Sequence, residues 1–167
     1  MGQDPKAPLK YGLISGDSRG QSIDVSDSEA IYAASGRFVD RNASTGKAEI
    51  ASAASTHLIG WLEGPGGDNT STSNVKCKLL TGKSNVYRIP LAYDASSYTV
   101  NYSIALKYEN CDLLQSTRQY GNPTVVVKGH LVIVGGLAAT GTTLCATDGY
   151  LDVMIHHGLW LDLGVGE

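Results

Sequence analysis

Long apolar runs are absent from this chain: none approaches the about 18 consecutive apolar residues that a membrane-spanning helix needs. No helical membrane span and no membrane partner are expected. Charge is scarce as well, at 17% of residues against a usual figure of about 25%, and 13 Lys and Arg against 16 Asp and Glu leave a net charge of -3. A nucleic-acid binder carries a basic face or stripe. Here the positive residues are scattered, apart from Lys6 and Lys10 and a Lys76, Lys78 and Lys83 group that reads as one solvated strand face. Nucleic acid is therefore not an expected partner. The three cysteines, Cys77, Cys111 and Cys145, show no C-x-x-C pair and no short Cys/His spacing, so a structural zinc site has no ligand set. Their odd number argues against a secreted disulfide framework, and they read as reduced thiols that pack like small hydrophobes. The opening "MGQDPKAPLKYG" has no apolar core of the kind a signal peptide needs. Synthesis and folding in a cytoplasm are expected, which makes the N-x-S sequons at Asn42, Asn69 and Asn101 chance matches.

Helical periodicity is also missing. No segment sustains a 3.6-residue period with caps, and "DSEAIYAAS" would make one or two turns at most. What is present is a succession of short β-rich runs between turn signals: "AIYAA", "GRFVD", "HLIGWLE", "NVKCKLL", "NVYRIPLA", "SYTVNYSIAL", "CDLL", "TVVVKGHLVIVGG" and "YLDVMIHHGLWLDLG". Their Val, Ile, Tyr and Thr content suits half-buried strands. "SYTVNYSIAL" alternates Tyr98, Val100, Tyr102, Ile104 and Leu106 against a polar face, which predicts a strand with one dry side. Twenty glycines supply corners, and "GPGGDNTSTSN" reads as a surface loop. At 167 residues the length fits one domain. The expected fold is all-β, a small β-barrel or β-sandwich over residues 13–167 with little helix. An extended N-terminal arm over residues 1–12 carries Pro5 and Pro8.

"LISGDSRG" (13–20) is the stretch that first invites a catalytic reading, because Gly16-Asp17-Ser18 after an apolar run is how GDS-type hydrolases present their serine. Those are α/β proteins with an oxyanion glycine, an Asn in a G-x-N-D block and a C-terminal D-x-x-H. Here Gly66-Gly67-Asp68-Asn69 reverses the acid and the amide, and Asp152 precedes His156 by four residues. On a strand that spacing is about 13 Å, too far for the carboxylate to orient the imidazole. Gly16–Gly20 reads as a turn, and the chain as no enzyme. Adjacent His156 and His157 point to opposite strand faces and make poor co-ligands. His57 and His130 lack an acidic partner at useful spacing, and Asp24, Asp27 and Glu29 lack the glycine-turned loop of a calcium site. No metal or other cofactor is expected. Trp61 and Trp160 stand among leucines and an isoleucine, and core burial is their expected fate rather than a sugar platform.

The order of these parts resembles small structural proteins of tailed bacteriophages, in the head-decoration or capsid-cement class. "PLKYGLISGDSRG" stands where an N-terminal arm opens such chains. "GRFVDRNASTGKAEIASAASTHLIGWLEG" is similar to their hairpin followed by "GW" and a variable loop. "VYRIPL" and "ALKYENCDLL" resemble paired strands around a G-K-x-C-D-L type turn, with Leu106-Lys107-Tyr108-Glu109 replacing the glycine expected before it. "VKGHLVIVGG" and "YLDVMIHHGLW" resemble the closing barrel strands. The resemblance implies a protein that adds to the exterior of an assembled phage capsid in the virion. It implies a major capsid protein as partner, often a homotrimer near a local threefold axis, and stabilisation of the shell against internal DNA pressure. A carbohydrate-binding β-sandwich and a tail- or fibre-associated virion protein are the alternatives.

On this reading the chemistry-bearing residues bind rather than catalyse. Pro8, Leu9, Tyr11, Leu13 and Ile14 are expected to anchor the arm on the capsid protein or a neighbouring subunit, since an apolar segment beside prolines gains by leaving water. Lys6, Lys10 and Arg19 are expected to meet acidic capsid patches. The other reading of residues 9–14 is that they form the domain's own first strand.

Overall fold

Trp61 is buried, its ring edge-on to Phe38 at 4.9 Å and stacked on Tyr87 at 5.2 Å. Phe38 and Trp61 belong to one β-sheet and Tyr87 to another, so the three rings mark the joint between two layers. The computed structural model describes residues 11–25, 36–63, 76–91, 102–115, 119–123, 126, 128–138 and 149–156. In chain order the strands are β1 (Gly12–Ser15), β2 (Gln21–Asp24), β3 (Arg37–Arg41), β4 (Ala48–Ile50), β5 (Gly60–Glu63) and β6 (Lys76–Leu80). They continue with β7 (Val86–Pro90), β8 (Asn110–Gln115), β9 (Gln119–Asn122), β10 (Leu131–Leu137) and β11 (Tyr150–Ile155). The first sheet runs β1-β7-β11-β10-β8-β9 and the second β2-β6-β5-β3-β4, with every named strand pair antiparallel.

Both sheets come back on themselves through a single parallel bridge: Leu91 with Gly121 joins the end of β7 to β9, and Val25 with Ala48 joins the end of β2 to β4. This explains a burial pattern that simple alternation does not give. Along β3 and β5, Phe38 and Trp61 face the joint, while their neighbours Val39 and Leu62 enter a second apolar cluster with Val25, Ala48, Ile59 and Leu79. A strand dry on both faces reads as a continuous apolar run rather than an alternating one. The all-β expectation therefore holds as two curled sheets packed on a shared core.

Three strand expectations need correction. Ile104–Leu106 forms a 3-10 turn, and Ile104 is 76% exposed, so the dry face expected of "SYTVNYSIAL" does not continue through its C-terminal part. Its residues 97–101 lie outside the described residues, as does the 27–35 segment read as the best helical candidate. Lys128–His130 precede β10 rather than forming part of it. The strand of "VYRIPL" does not pair with that of "ALKYENCDLL": β11 and β10 lie between β7 and β8 in the sheet. β10 and β11 do pair with each other, and the β3–β4 hairpin is followed by Gly60-Trp61 in β5.

The joint leaves no room beside the indole. A Cβ built on Gly36, whose φ is +53°, would stand 2.0 Å from Trp61 Cζ2. Gly36→Ala is expected to lower stability by about 2–4 kcal/mol, through overpacking and through a backbone conformation costly to any side chain. Chemical denaturation measures it, and an unchanged midpoint would show that the ring can move aside.

Candidate functional site

The first described segment is a strap that borders both sheets. Gly12 pairs with Arg88 and Leu13 with Tyr87 in the first sheet; Gln21 pairs with Leu79, Ser22 with Lys78, Ile23 with Cys77 and Asp24 with Lys76 in the second. The two ladders share one antiparallel offset, Gly12 to Asp24 against residues 88 to 76; a bulge between Leu13 and Ser15 shifts it, and the corner between Ser15 and Gln21 restores it. At the corner where both tracks change sheet, the backbone ladder lapses and a side chain replaces it. Asn85 Oδ1 accepts from the Asp17 N–H at 2.7 Å, and Asn85 Nδ2 donates to the Asp17 carbonyl at 3.0 Å. The amide imitates a peptide group of a neighbouring strand. Gly16 and Gly82 make room for it, since a Cβ on either would fall 2.2 or 2.4 Å from Asn85 Oδ1. Asn85 Nδ2 also reaches Tyr87 Oη at 3.0 Å, and burial pushes the Tyr87 phenol up to about 12.

Asp17 accepts from the Arg19 backbone N–H at 2.8 Å and from its guanidinium at 2.8–3.0 Å. The Arg19 hydrogen bonds hold the Asp17 carboxyl below its usual range, and the pair, with the Arg19 side chain 92% exposed, adds little stability. Ser18 sits exposed between the two. Asp152, the acid set against His156 in the sequence, is engaged bidentately by Arg88 at 2.7 and 2.9 Å, with that guanidinium 3.8 Å from the Tyr150 ring centroid.

Of the residues expected to bind a partner, the structure places four. Leu13 turns inward and packs on the core, so its contribution is to the domain's own sheet. Ile14 is 41% exposed at the bulge, Tyr11 is half-buried just before β1, and Arg19 stands outside the corner. Lys6, Pro8, Leu9 and Lys10 lie outside the described residues. From Ile14 to Ser22 every residue is exposed, and neither β1 nor β2 has a second strand partner among the described residues. An edge strand of this kind presents backbone N–H and C=O groups to another chain.

Sequence reasoning missed three polar side chains that fasten the layers. Gln119, at the start of β9, accepts from the Phe38 N–H at 2.7 Å and donates to the carbonyls of Phe38 and Ala51, both at 2.8 Å. His130 is wholly buried: its Nδ1 accepts from the Leu113 N–H at 3.3 Å, which leaves Nε2 to donate to the Ser55 carbonyl at 2.9 Å. Asp112 Oδ1 lies 3.6 Å from His130 Nδ1, so the histidine does have an acidic neighbour, delivered by strand pairing rather than by sequence spacing. Asn85 is the third. Trp61, only 2% exposed, lines no sugar platform, and burial pushes the Cys111 thiol up to about 12. Trp160 and His157 are outside the described residues, as are Asp27 and Glu29 of the acidic group weighed for calcium. Among the described residues no group of three or more His, Cys, Asp or Glu side chains could hold a metal ion, and no helix is long and apolar enough to cross a membrane. In comparisons with known proteins, no family model, no curated protein and no solved structure matches this chain.

Proposed function

We propose that this protein is a structural binding protein of a virion, which attaches to the outside of an assembled phage capsid and stabilises it. The observation that carries the reading is the exposed edge Ile14–Ser22, which in sequence follows closely on the proline-bearing residues 1–10. A strand laid against such an edge gains main-chain hydrogen bonds without a pocket. The bulge at Leu13/Ser15 limits indiscriminate pairing of the kind that flat edges invite. Each attachment can be weak, because a shell offers many equivalent sites to an oligomer, and simultaneous engagement multiplies affinity. In this reading Tyr11, Ile14 and Arg19 face the major capsid protein, and Lys6, Pro8, Leu9 and Lys10 extend the contact.

Density-gradient fractionation of a lysate of the source, with quantitative mass spectrometry of this chain in each fraction, tests the proposal. The expected result is co-migration with DNA-filled heads at a copy number comparable to the major shell protein. Recovery in the soluble fractions alone would overturn it.

A further inference from the structure

Two of the most exposed large apolar side chains described in this protein stand on one short turn. Ile104 is 76% exposed and Tyr108 71%, whereas Ile14, Val126 and Leu137 lie apart from them in sequence and are exposed to 41–47%. The turn that bears them is firmly held. Leu106 N–H donates to the Ser103 carbonyl, Lys107 N–H to Ile104 and Glu109 N–H to Leu106, at 3.0–3.1 Å. The Tyr108 N–H then donates to the Ile133 carbonyl at 2.7 Å, and the Ile133 N–H returns a bond to Glu109 at 2.9 Å. Inside, Tyr102 and Leu106 pack on the core. Outside, the Lys107 ammonium lies 5.1 Å from the Tyr108 ring centroid and restrains it.

Tyr108 is also the one non-glycine residue with positive φ among those described, at +74°. A bulky side chain is rare in that conformation, and strain of this kind gathers where a binding surface is set in advance. Rigid, exposed and apolar is the combination found at binding hot spots, where little ordering entropy remains to be lost.

We propose that Ile104 and Tyr108 form a preformed knob that seats in an apolar pocket of the capsid protein, a contact separate from the N-terminal edge. This rests on the shell-binding reading. The size of the knob favours a shell over a second copy of this chain. The two side chains offer on the order of 300 Å², well below the about 800 Å² per partner of a stable two-body interface. A repeated lattice makes use of contacts that small. A protein pocket fits better than a glycan, because Ile104 has nothing to offer sugar hydroxyls.

The test uses particles of the source phage produced without this chain, mixed with purified full-length protein and sedimented. Tyr108→Gly removes the ring and relieves the backbone, so its melting temperature is expected to equal or exceed that of the unmodified chain while particle affinity falls about tenfold or more. Ile104→Ser, at a site too exposed to matter for folding, is expected to weaken binding in the same direction. Binding by both variants equal to that of the unmodified protein overturns the knob and leaves the shell reading standing. Loss confined to Tyr108→Gly also overturns it, in favour of a lone ring contact. If the unmodified protein itself fails to sediment with the particles, the shell reading falls and the knob's partner with it.

Discussion

A chain beginning at residue 11 retains a cooperative fold, and a chain beginning at residue 25 does not fold: that is the expected result of two truncations at the strap. Every described strand pair of the first segment starts at Gly12, so the shorter truncation removes none of them. The longer one removes β1 and β2 together, with the Leu13 and Ile23 packing and the Asn85 corner. A fully buried Leu or Ile contributes about 1.5–3 kcal/mol. Two partly buried ones and two lost ladders approach the about 5–15 kcal/mol by which a whole domain is stable. Circular dichroism during heating reads both variants. A cooperative transition of the 25–167 chain at the temperature of the full protein would show that the strap is an attachment to the domain rather than part of it.

Gln119→Leu should cost about 2–5 kcal/mol, more than its volume-matched replacement would at an ordinary core position. The amide satisfies the Phe38 N–H and the carbonyls of Phe38 and Ala51 across the joint. The Phe38 carbonyl keeps the Ala51 N–H at 3.1 Å, so two groups lose their Gln119 partner, at about 1–3 kcal/mol each when buried. Gln119→Glu does not rescue it, because a carboxylate can still accept from Phe38 but has no hydrogen to give either carbonyl. Urea denaturation gives the difference. A loss under about 1 kcal/mol for Gln119→Leu would mean that water or a backbone shift replaces the amide.

How much of this was legible in the sequence follows from what each residue interacts with. β3, β5, β6, β7, β10 and β11 were readable because their side chains meet the core in runs that need no partner to be recognised. The second apolar cluster was not, since Phe38 and Val39 face opposite sides of their strand and both sides become dry only once the sheet has curled. Ile104 was misassigned for the reverse reason: alternation continues through "YSIAL", but the backbone tightens into a turn before Ile104 reaches an interior. Gln119, His130 and Asn85 carried no signal at all. Their partners are backbone groups 68 to 81 positions away or on another strand, and a polar residue between short strands reads as surface. At the candidate site, sequence alone left Leu13 and Ile14 open between arm and strand. The pairing with β7 assigns Leu13 to the domain and leaves Ile14 at its margin.

The shared offset of the strap also bears on how the molecule is made. Gly12 waits for Arg88, and Asp24 for Lys76, so during synthesis the two strands of the strap remain without their strand partners until more than fifty later residues have left the ribosome. At about 5–20 residues per second that interval is on the order of several seconds. A strongly apolar strand would spend it finding wrong partners. "SGDSRGQSID", polar through the corner and most of β2, can stay in water for that time, and the mature domain keeps the same hydrophilic stretch as its outermost edge.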